Sequence, residues 1–443
     1  MESRAYTGSI GSESNCGTSN KDGKSQCVTS SLRSTFALVA VLLTVGAALS
    51  IPVASGFAST LGSPRPVVHP VSISFLTARH GFVLSVNDCA TRTCVSLAKT
   101  DDAGATWTSL SLPSQLSREI RTISWYAYPN YFVSESLMVH FADPRDGWIY
   151  GVIPAPATAT QPSPNFADRL WSTHNGGESW TALSLSGLGI DSGVAQMATH
   201  GALTYLFGSS YVTSHSRILS TPNARDRWTS ASPPMGIPAG GSQLQGAFTF
   251  AGKRGWFVTG NDRGIQSLEQ LTPSGTWTTW RVRSLALGEG FTPVIAESSR
   301  DLVVVTSDAG WYFPPPANAP LGWSKGATWL FLSRDGGKTF NAVHELAKSS
   351  ATGFPSENGL PAAPTPGTIF VERESGTSTT TFQLLMSKDA GRTWRVVINQ
   401  RVLQVAFATA SVGYAIVVPN SDPRRASLCK TTDGGMRWSS QAV

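Results

Sequence analysis

The sequence predicts an all-β protein assembled from repeated four-stranded sheets, and three observations support this. The first is an octapeptide that recurs along most of the chain, and the second is a strand-and-turn phrase that precedes it. The third is composition: of 443 residues, 42 are Gly, 27 are Pro and 14 are Trp, and only 14% are charged. Turn-forming and aromatic residues in these amounts favour strands joined by tight turns over long helices.

The octapeptide has the pattern Ser/Thr-x-Asp-x-Gly-x-Thr-Trp. Its five close copies are Thr100–Trp107, Thr173–Trp180, Ser333–Phe340, Ser387–Trp394 and Thr431–Trp438. The third residue can accept backbone N–H groups two residues on, the glycine supplies positive φ, and the hydroxyl adds a local bond. We therefore predict structural roles, as hydrogen-bond acceptors within a turn, for the third residues: Asp102, Asn175, Asp335, Asp389 and Asp433.

The spacing of the octapeptides predicts the architecture. Two degenerate copies, Thr221–Trp228 and Thr272–Trp277, fill the gaps between the five. Successive copies are then roughly 44–73 residues apart, which matches one four-stranded blade of a β-propeller with insertions. We predict a seven-bladed β-propeller over residues 66–443, with six or eight blades as alternatives. Ring closure is expected to rest on packing between the first and last blades, with Pro66–Pro70 as a candidate edge strand.

The second phrase consists of an apolar strand, a short polar turn and then Gly-aromatic-apolar. Its clearest copies are Ser74–Leu84, Val139–Gly151, Phe248–Val258 and Val405–Val417. Each copy predicts the first two strands of a blade and the hairpin between them, so that the octapeptide joins strands three and four.

The octapeptide resembles the Asp-box, or bacterial neuraminidase repeat, of sialidase-type β-propellers. Together with the Gly-aromatic phrase, it is most similar to the photosystem II stability/assembly factor-like propellers. That resemblance covers roughly residues 66–443 and implies the fold. For function, it implies an exported, non-enzymatic scaffold that binds membrane-protein partners.

The N-terminal region predicts export. Residues 1–33 are rich in Ser, Gly and Asn and read as a disordered cytoplasmic tail, whereas residues 34–55 carry no charge and are long enough to span a bilayer. Lys24 and Arg33 precede this segment and no cation follows it until Arg65, which places the propeller outside the cytoplasm. We expect either a single-pass membrane protein or, if cleavage occurs near Val53-Ala54-Ser55, a secreted one.

Cysteine usage agrees with export, and the charge pattern limits the partners. Cys89 and Cys94 lie on either side of a predicted hairpin loop and are expected to form a disulfide. Half a zinc site is the alternative reading, but no second half lies nearby, so no metal or other cofactor is expected. The net charge is +6, yet the cations are scattered rather than clustered, so no nucleic-acid partner is expected.

The long insertions predict where a ligand would bind. By strand count, segments 113–137, 154–166, 311–329 and 346–366 all belong to the face opposite the octapeptides. Elaborated loops on a rigid scaffold are where binding usually takes place. The aromatic side chains proposed to bind a sugar ring or a protein surface are Trp125, Tyr126, Tyr128, Tyr131, Trp311, Tyr312, Phe313 and Trp323. Packing of these rings on the rim is the alternative.

An enzyme remains an open alternative at this level. Sialidases hold their substrate with three arginines, the first in an Arg-x-Pro phrase, and no Arg-x-Pro occurs in this chain. No catalytic residue can therefore be assigned. The sequence favours an exported, tethered binding or assembly scaffold for a membrane or cell-surface protein or a glycan. A secreted glycoside hydrolase and a lectin-like surface protein are the alternatives.

Overall fold

Seven four-stranded antiparallel sheets account for the 28 strands in the described part of the chain, and each sheet uses four consecutive strands. The computed structural model describes residues 68–443 except for 90–91, 121–136, 156–164, 191–193, 211–214, 232–244, 262–263, 273–275, 281–293, 297, 299, 308–326, 349–361, 376–380 and 421–424. The seven sheets are the blades of a β-propeller, numbered here in chain order.

Blade 1 contains β1 (Val68–Phe75), β2 (Gly81–Cys89), β3 (Arg92–Thr100) and β4 (Thr108–Leu110). Helix α1 (Ser114–Ile120) follows it. Blade 2 contains β5 (Leu137–Phe141), β6 (Gly147–Ala155), β7 (Asn165–Thr173) and β8 (Thr181–Ala182). A 3-10 helix (Ser186–Leu188) precedes blade 3, which contains β9 (Val194–His200), β10 (Leu203–Ser210), β11 (His215–Pro222) and β12 (Thr229–Ser230).

Blade 4 contains β13 (Gln245–Ala251), β14 (Arg254–Asn261), β15 (Gly264–Leu271) and β16 (Trp277–Trp280). Blade 5 contains β17 (Val294–Ala296), β18 (Leu302–Ser307), β19 (Ala327–Ser333) and β20 (Asn341–Lys348). Blade 6 contains β21 (Ala362–Thr365), β22 (Thr368–Ser375), β23 (Thr381–Ser387) and β24 (Arg395–Ile398). Blade 7 contains β25 (Arg401–Phe407), β26 (Gly413–Val418), β27 (Ser427–Thr431) and β28 (Ser439–Gln441).

The Gly-aromatic phrase has a steric explanation. In blade 2 the register places Phe141 opposite Gly147, and a Cβ at Gly147 would lie only 2.5 Å from the ring of Phe141. The same Phe–Gly pairing occurs in blades 1, 4 and 7. Glycine therefore makes room for the phenylalanine that ends the first strand, and the next residue points its aromatic ring into the core.

The hydrophobic core lies at the seams between neighbouring blades. Val71 and Leu84 of blade 1 pack with Val139 and Trp171 of blade 2, and comparable clusters join blades 2–3, 3–4, 5–6, 6–7 and 7–1. Each sheet has apolar side chains on both faces, so one blade cannot bury its surface alone and is stabilised by its two neighbours.

The ring closes through contacts between the first and last blades. The innermost strand β1 contacts β5 on one side and β25 on the other. The Gln404 side chain of β25 bridges to the backbone of Ile73: its Oε1 accepts the Ile73 N–H at 2.8 Å and its Nε2 donates to the Ile73 carbonyl at 3.0 Å. The rings of Phe75 and Tyr414 stack with centroids 3.5 Å apart.

Two further hydrogen bonds cross the same seam. The Tyr414 hydroxyl donates to the carbonyl of Ala78 at 3.1 Å, and Lys430 Nζ donates to the carbonyl of Ala103 at 2.7 Å. Burial raises the pKa of Tyr414 to about 12, so the phenol keeps its proton at neutral pH. The seam is therefore held by packing and by hydrogen bonds from side chains to backbone, with no strand exchanged between the two blades.

The structure confirms most of the predicted architecture. The blade count is seven, and all seven octapeptide positions, including both degenerate ones, connect strands three and four. Cys89 and Cys94 form the predicted disulfide at the β2–β3 hairpin. Val68–Pro70, the described part of the proposed edge strand, lie in β1, the innermost strand of blade 1, which pairs with β2 and contacts β25 of the last blade.

The predicted tail (1–33) and apolar segment (34–55) lie outside the described residues. None of the helices in the described part is long and apolar enough to cross a membrane. Tethering therefore stays a prediction.

Gln404→Ala tests the closure. Removing the side chain leaves the N–H and the carbonyl of Ile73, a residue that is 2% exposed, without these partners. We expect the free energy of unfolding to fall by about 1–3 kcal/mol, measured by chemical denaturation. Gln441→Ala is the control, because the Gln441 amide bonds only to neighbouring residues of its own strand. Equal stability of the two variants would contradict the closing role.

Candidate functional site

The octapeptide turns and the β1–β2 type hairpins occupy one end of every described blade. In blade 2 the N–H of Gly176 donates to the carbonyl of Arg145 at 2.8 Å, and in blade 7 the N–H of Gly434 donates to Ser411 at 2.9 Å. Blades 1, 5 and 6 have the equivalent bond. We call this end the octapeptide face. Because the strands are antiparallel, the strand two–three loops and the blade-to-blade connections belong to the opposite face.

Each intact octapeptide is closed by its own hydrogen bonds. In blade 6, Asp389 Oδ1 accepts the N–H of Thr393 at 2.8 Å and Oδ2 accepts its hydroxyl at 2.6 Å. The Ser387 hydroxyl donates to Asp389 at 2.8 Å and accepts the N–H of Gly391 at 2.8 Å. The carboxylate thus acts four residues on, where the sequence analysis predicted two. The same pattern holds for Asp102 and Asp335.

These bonds lower the pKa of the turn carboxylates. The hydroxyl and N–H of Thr393 lower the pKa of Asp389 to about 2, and those of Thr106 lower the pKa of Asp102 to about 2. In blade 7 the N–H of Arg437 lowers the pKa of Asp433. Asn175 replaces the carboxylate in blade 2, where its amide bonds to the N–H and hydroxyl of Ser179. Groups engaged in this way are acceptors within a turn and are poor candidates for proton transfer.

The glycine at the fifth octapeptide position has a second function. Gly177 has φ +90°, and a Cβ there would lie 3.1 Å from Leu110 of the preceding blade. A Cβ at Gly337 would lie still closer, 2.2 Å from Leu268 of the blade before it. The glycine therefore permits both the left-handed turn and the close approach of the neighbouring blade.

A charged cluster joins blades 2 and 3 on the octapeptide face. His174 Nδ1 lies 2.8 Å from Asp146, and its Nε2 lies 3.1 Å from Asp226. The Ser172 hydroxyl also donates to Asp226, at 2.6 Å. Asp226 comes from the degenerate octapeptide of blade 3, so this carboxylate serves the neighbouring blade and not its own turn.

The surroundings of His174 raise its pKa. Burial alone would lower the pKa of His174, but the hydrogen bonds and charges of Asp146 and Asp226 outweigh that effect. Burial also raises the pKa of Asp146, assisted by Asp143 and opposed by His174. At the same seam His140 behaves differently: it is half-buried, its Nε2 lies 2.7 Å from the Thr199 hydroxyl, and burial lowers its pKa to about 4. The structure thus favours a charged His174 beside a neutral His140.

A cleft of about 400 Å³ lies where α1 meets the outer edge of blade 2. Its lining residues are Pro113, Ser114, Gln115, Arg118, Glu119, Trp171, Trp180 and Ala182. Helix α1 is fixed there because Leu116 is fully buried in the blade 1–2 core. The volume falls within the roughly 300–1,000 Å³ of small-molecule sites.

The polar wall of the cleft is prearranged. Arg169 of β7 donates to both oxygens of Glu119, from Nη2 at 3.0 Å and from Nε at 3.2 Å. Gln115, one helical turn earlier, donates to the same carboxylate at 2.8 Å. Trp180 is half-buried, and its indole N–H donates to the carbonyl of Ser111 at 2.9 Å. These contacts orient the carboxylate and the indole before any ligand arrives.

The predicted binding aromatics cannot be placed. Trp125, Tyr126, Tyr128, Tyr131, Trp311, Tyr312, Phe313 and Trp323 all lie outside the described residues, so their role stays a prediction. The start of the first predicted insertion is described, and it forms α1 and one wall of the cleft.

Sequence reasoning missed the residues that carry the cleft and the charged cluster. The Gln115–Glu119 spacing after Pro113 is the one signal in the sequence for helix α1. Nothing in the sequence pairs Glu119 with Arg169, or His174 with Asp226, because these partners come from different elements of the fold. Among the described residues no group of three or more His, Cys, Asp or Glu is placed to hold a metal ion.

Comparison with known proteins gives similarity of structure only. No protein-family model matches the chain, and no curated protein matches it. The solved structure of YCF48 bound to D1 peptide is 16% identical, over 84% of this chain and 92% of that chain, with a TM-score of 0.47. A PL25 ulvan lyase is 11% identical, over 85% and 96%, with a TM-score of 0.48. An ancestral GH74 enzyme is 14% identical, over 84% and 48%, with a TM-score of 0.48. At these values the likenesses carry no assignment of activity.

His174→Gln should change how stability depends on pH. A histidine whose folded pKa is raised contributes stability that is present below its unfolded pKa near 6.5 and is lost as pH rises through the folded value. The wild-type advantage over His174→Gln, measured as a difference in melting temperature, should therefore be largest below about pH 6.5 and shrink as the pH rises above it. His200→Gln, whose ring stacks on Phe250, is the control. Parallel pH profiles for wild type and His174→Gln would contradict the cluster's role.

Ala103→Gly should stabilise the propeller. Ala103 occupies the fourth octapeptide position with φ 67°, a conformation that favours glycine. We expect the free energy of unfolding to rise by up to about 1 kcal/mol, measured by chemical denaturation. Ala105→Gly in the same turn is the matched control and should be neutral or destabilising. If both substitutions lower stability alike, backbone strain at Ala103 is not a significant cost.

Proposed function

We propose that this chain is an exported, non-enzymatic binding scaffold and that one ligand site is the cleft between α1 and blade 2. The partner would be a membrane or cell-surface protein or a glycan, met outside the cytoplasm. Export is supported by the uncharged segment 34–55 and by the Cys89–Cys94 disulfide, which suits an oxidising compartment.

The proposal for the cleft rests on the hydrogen bonding of the Glu119 carboxylate. It is the single carboxylate among the described lining residues, and Arg169 and Gln115 already occupy its oxygens. Glycoside hydrolysis generally needs two carboxyl groups, one of them able to give up a proton. A lone carboxylate in a bidentate pair is suited to hold and orient a ligand, and it is unsuited to acid–base catalysis there.

The contacts on the octapeptide face indicate that this face has a structural function. Its repeated carboxylates close their own turns, and the charged cluster around His174 joins two blades. This face therefore holds the scaffold together, and by strand count the predicted insertions belong to the opposite face.

A turnover assay tests the non-enzymatic role. The full-length chain, purified in detergent, should release no reducing sugar from sialosides or glucans above background, and Glu119→Gln should behave identically. Hydrolysis by the wild type that Glu119→Gln abolishes would overturn the proposal and make the cleft an active site.

Topology is tested separately. Protease added to spheroplasts should digest the propeller, whereas a cytoplasmic marker protein in the same sample should survive. Protection of the propeller until the membrane is dissolved would contradict export.

A further inference from the structure

The strongest unassigned feature is the charge balance of the cleft between α1 and blade 2. Two charged side chains line it, Arg118 and Glu119. Glu119 is neutralised by Arg169 at 3.0 Å, with the two side chains 23% and 30% exposed. Within the described residues Arg118 is exposed and has no ion-pair partner. Among its described lining residues the cleft therefore has one uncompensated positive charge, which favours an anionic ligand.

The other side chains that line the cleft indicate which class of anion would fit. Trp180 presents a half-buried indole, and Ser114 and Gln115 supply a hydroxyl and an amide. A flat aromatic surface beside several hydrogen-bonding groups suits a ring that has an apolar face and a polar edge. A bare inorganic anion would leave the indole unused.

An extended peptide fits less well. Peptides that add to a sheet need a free edge several residues long. The adjacent outer strand β8 has only two residues, Thr181 and Ala182, so it offers too short an edge. A compact ligand of one to three rings matches the volume of about 400 Å³ better.

From these observations we propose that the cleft binds an acidic saccharide, in which a pyranose ring lies against Trp180 and its carboxylate pairs with Arg118. The ring hydroxyls would then form hydrogen bonds with Gln115 and with the oriented Glu119 carboxylate. This inference rests on the proposed function, because it names the ligand class of the same site.

Calorimetric titration of the full-length chain with four probes tests the ligand class. Trigalacturonate carries the carboxylates, and maltotriose is a neutral trisaccharide with the same kind of α-1,4 linkage. Acetate tests the bare anion, and a blocked tri-glutamate peptide tests an acidic chain without sugar rings. We expect trigalacturonate to bind with a Kd on the order of 1 mM or tighter and the other three to bind at least tenfold more weakly.

Two cleft variants and one control locate the site. Arg118→Ala should weaken trigalacturonate about tenfold or more, because a charge-assisted contact is lost. Gln115→Ala should weaken it by a smaller factor. Arg392→Ala removes an equally exposed arginine from the octapeptide face and should change nothing. Melting temperatures of the variants check that each one remains folded.

The outcomes separate the ligand class from the scaffold function. Equal binding of maltotriose or the peptide, no binding of trigalacturonate, or an Arg118→Ala variant with unchanged affinity would overturn the acidic saccharide. None of these results would contradict the proposed scaffold function. That proposal fails only if the chain turns over a glycan or is not exported.

Discussion

Close packing between neighbouring blades is the constraint on which the rest of this structure depends. Each blade has apolar residues on both faces, and clusters such as Val71 and Leu84 with Val139 and Trp171 bury them at the seams. Glycine at the fifth octapeptide position lets the next blade approach, as Gly177 does beneath Leu110. A blade is therefore stable only inside the ring, and the ring must close.

Closure gives particular residues an importance that their own blades do not explain. Gln404 and Tyr414 bond to backbone groups of the first blade, more than 300 positions earlier in the chain. At the seam between blades 2 and 3, Asp226 of the blade 3 turn forms a hydrogen bond with His174 of blade 2. In both places a side chain serves the adjacent blade, so its role appears only when the blades are arranged in a circle.

The two ends of the propeller are used differently. The octapeptide end consists of short turns whose hydroxyls, amides and carboxylates bond to one another, which leaves little free polar capacity for a ligand. The blade-to-blade connections at the other end vary in length. One of them forms α1, which leaves a cleft against the outer edge of blade 2, with the Arg118 charge unpaired among the described residues. A rigid repeated scaffold with variable connections is a common way to present a binding site.

The sequence by itself determined the position of every strand three–four turn and the Cys89–Cys94 pair, and it favoured seven blades over six or eight. These follow from local patterns: a turn needs its glycine and its acceptor within eight residues, whatever the rest of the chain does. Only the tertiary structure decided the partners of Glu119, His174 and Gln404, since each pairs with a residue from a different element. Those contacts arise when the blades close into a ring, and no spacing along the chain encodes which side chains then face each other.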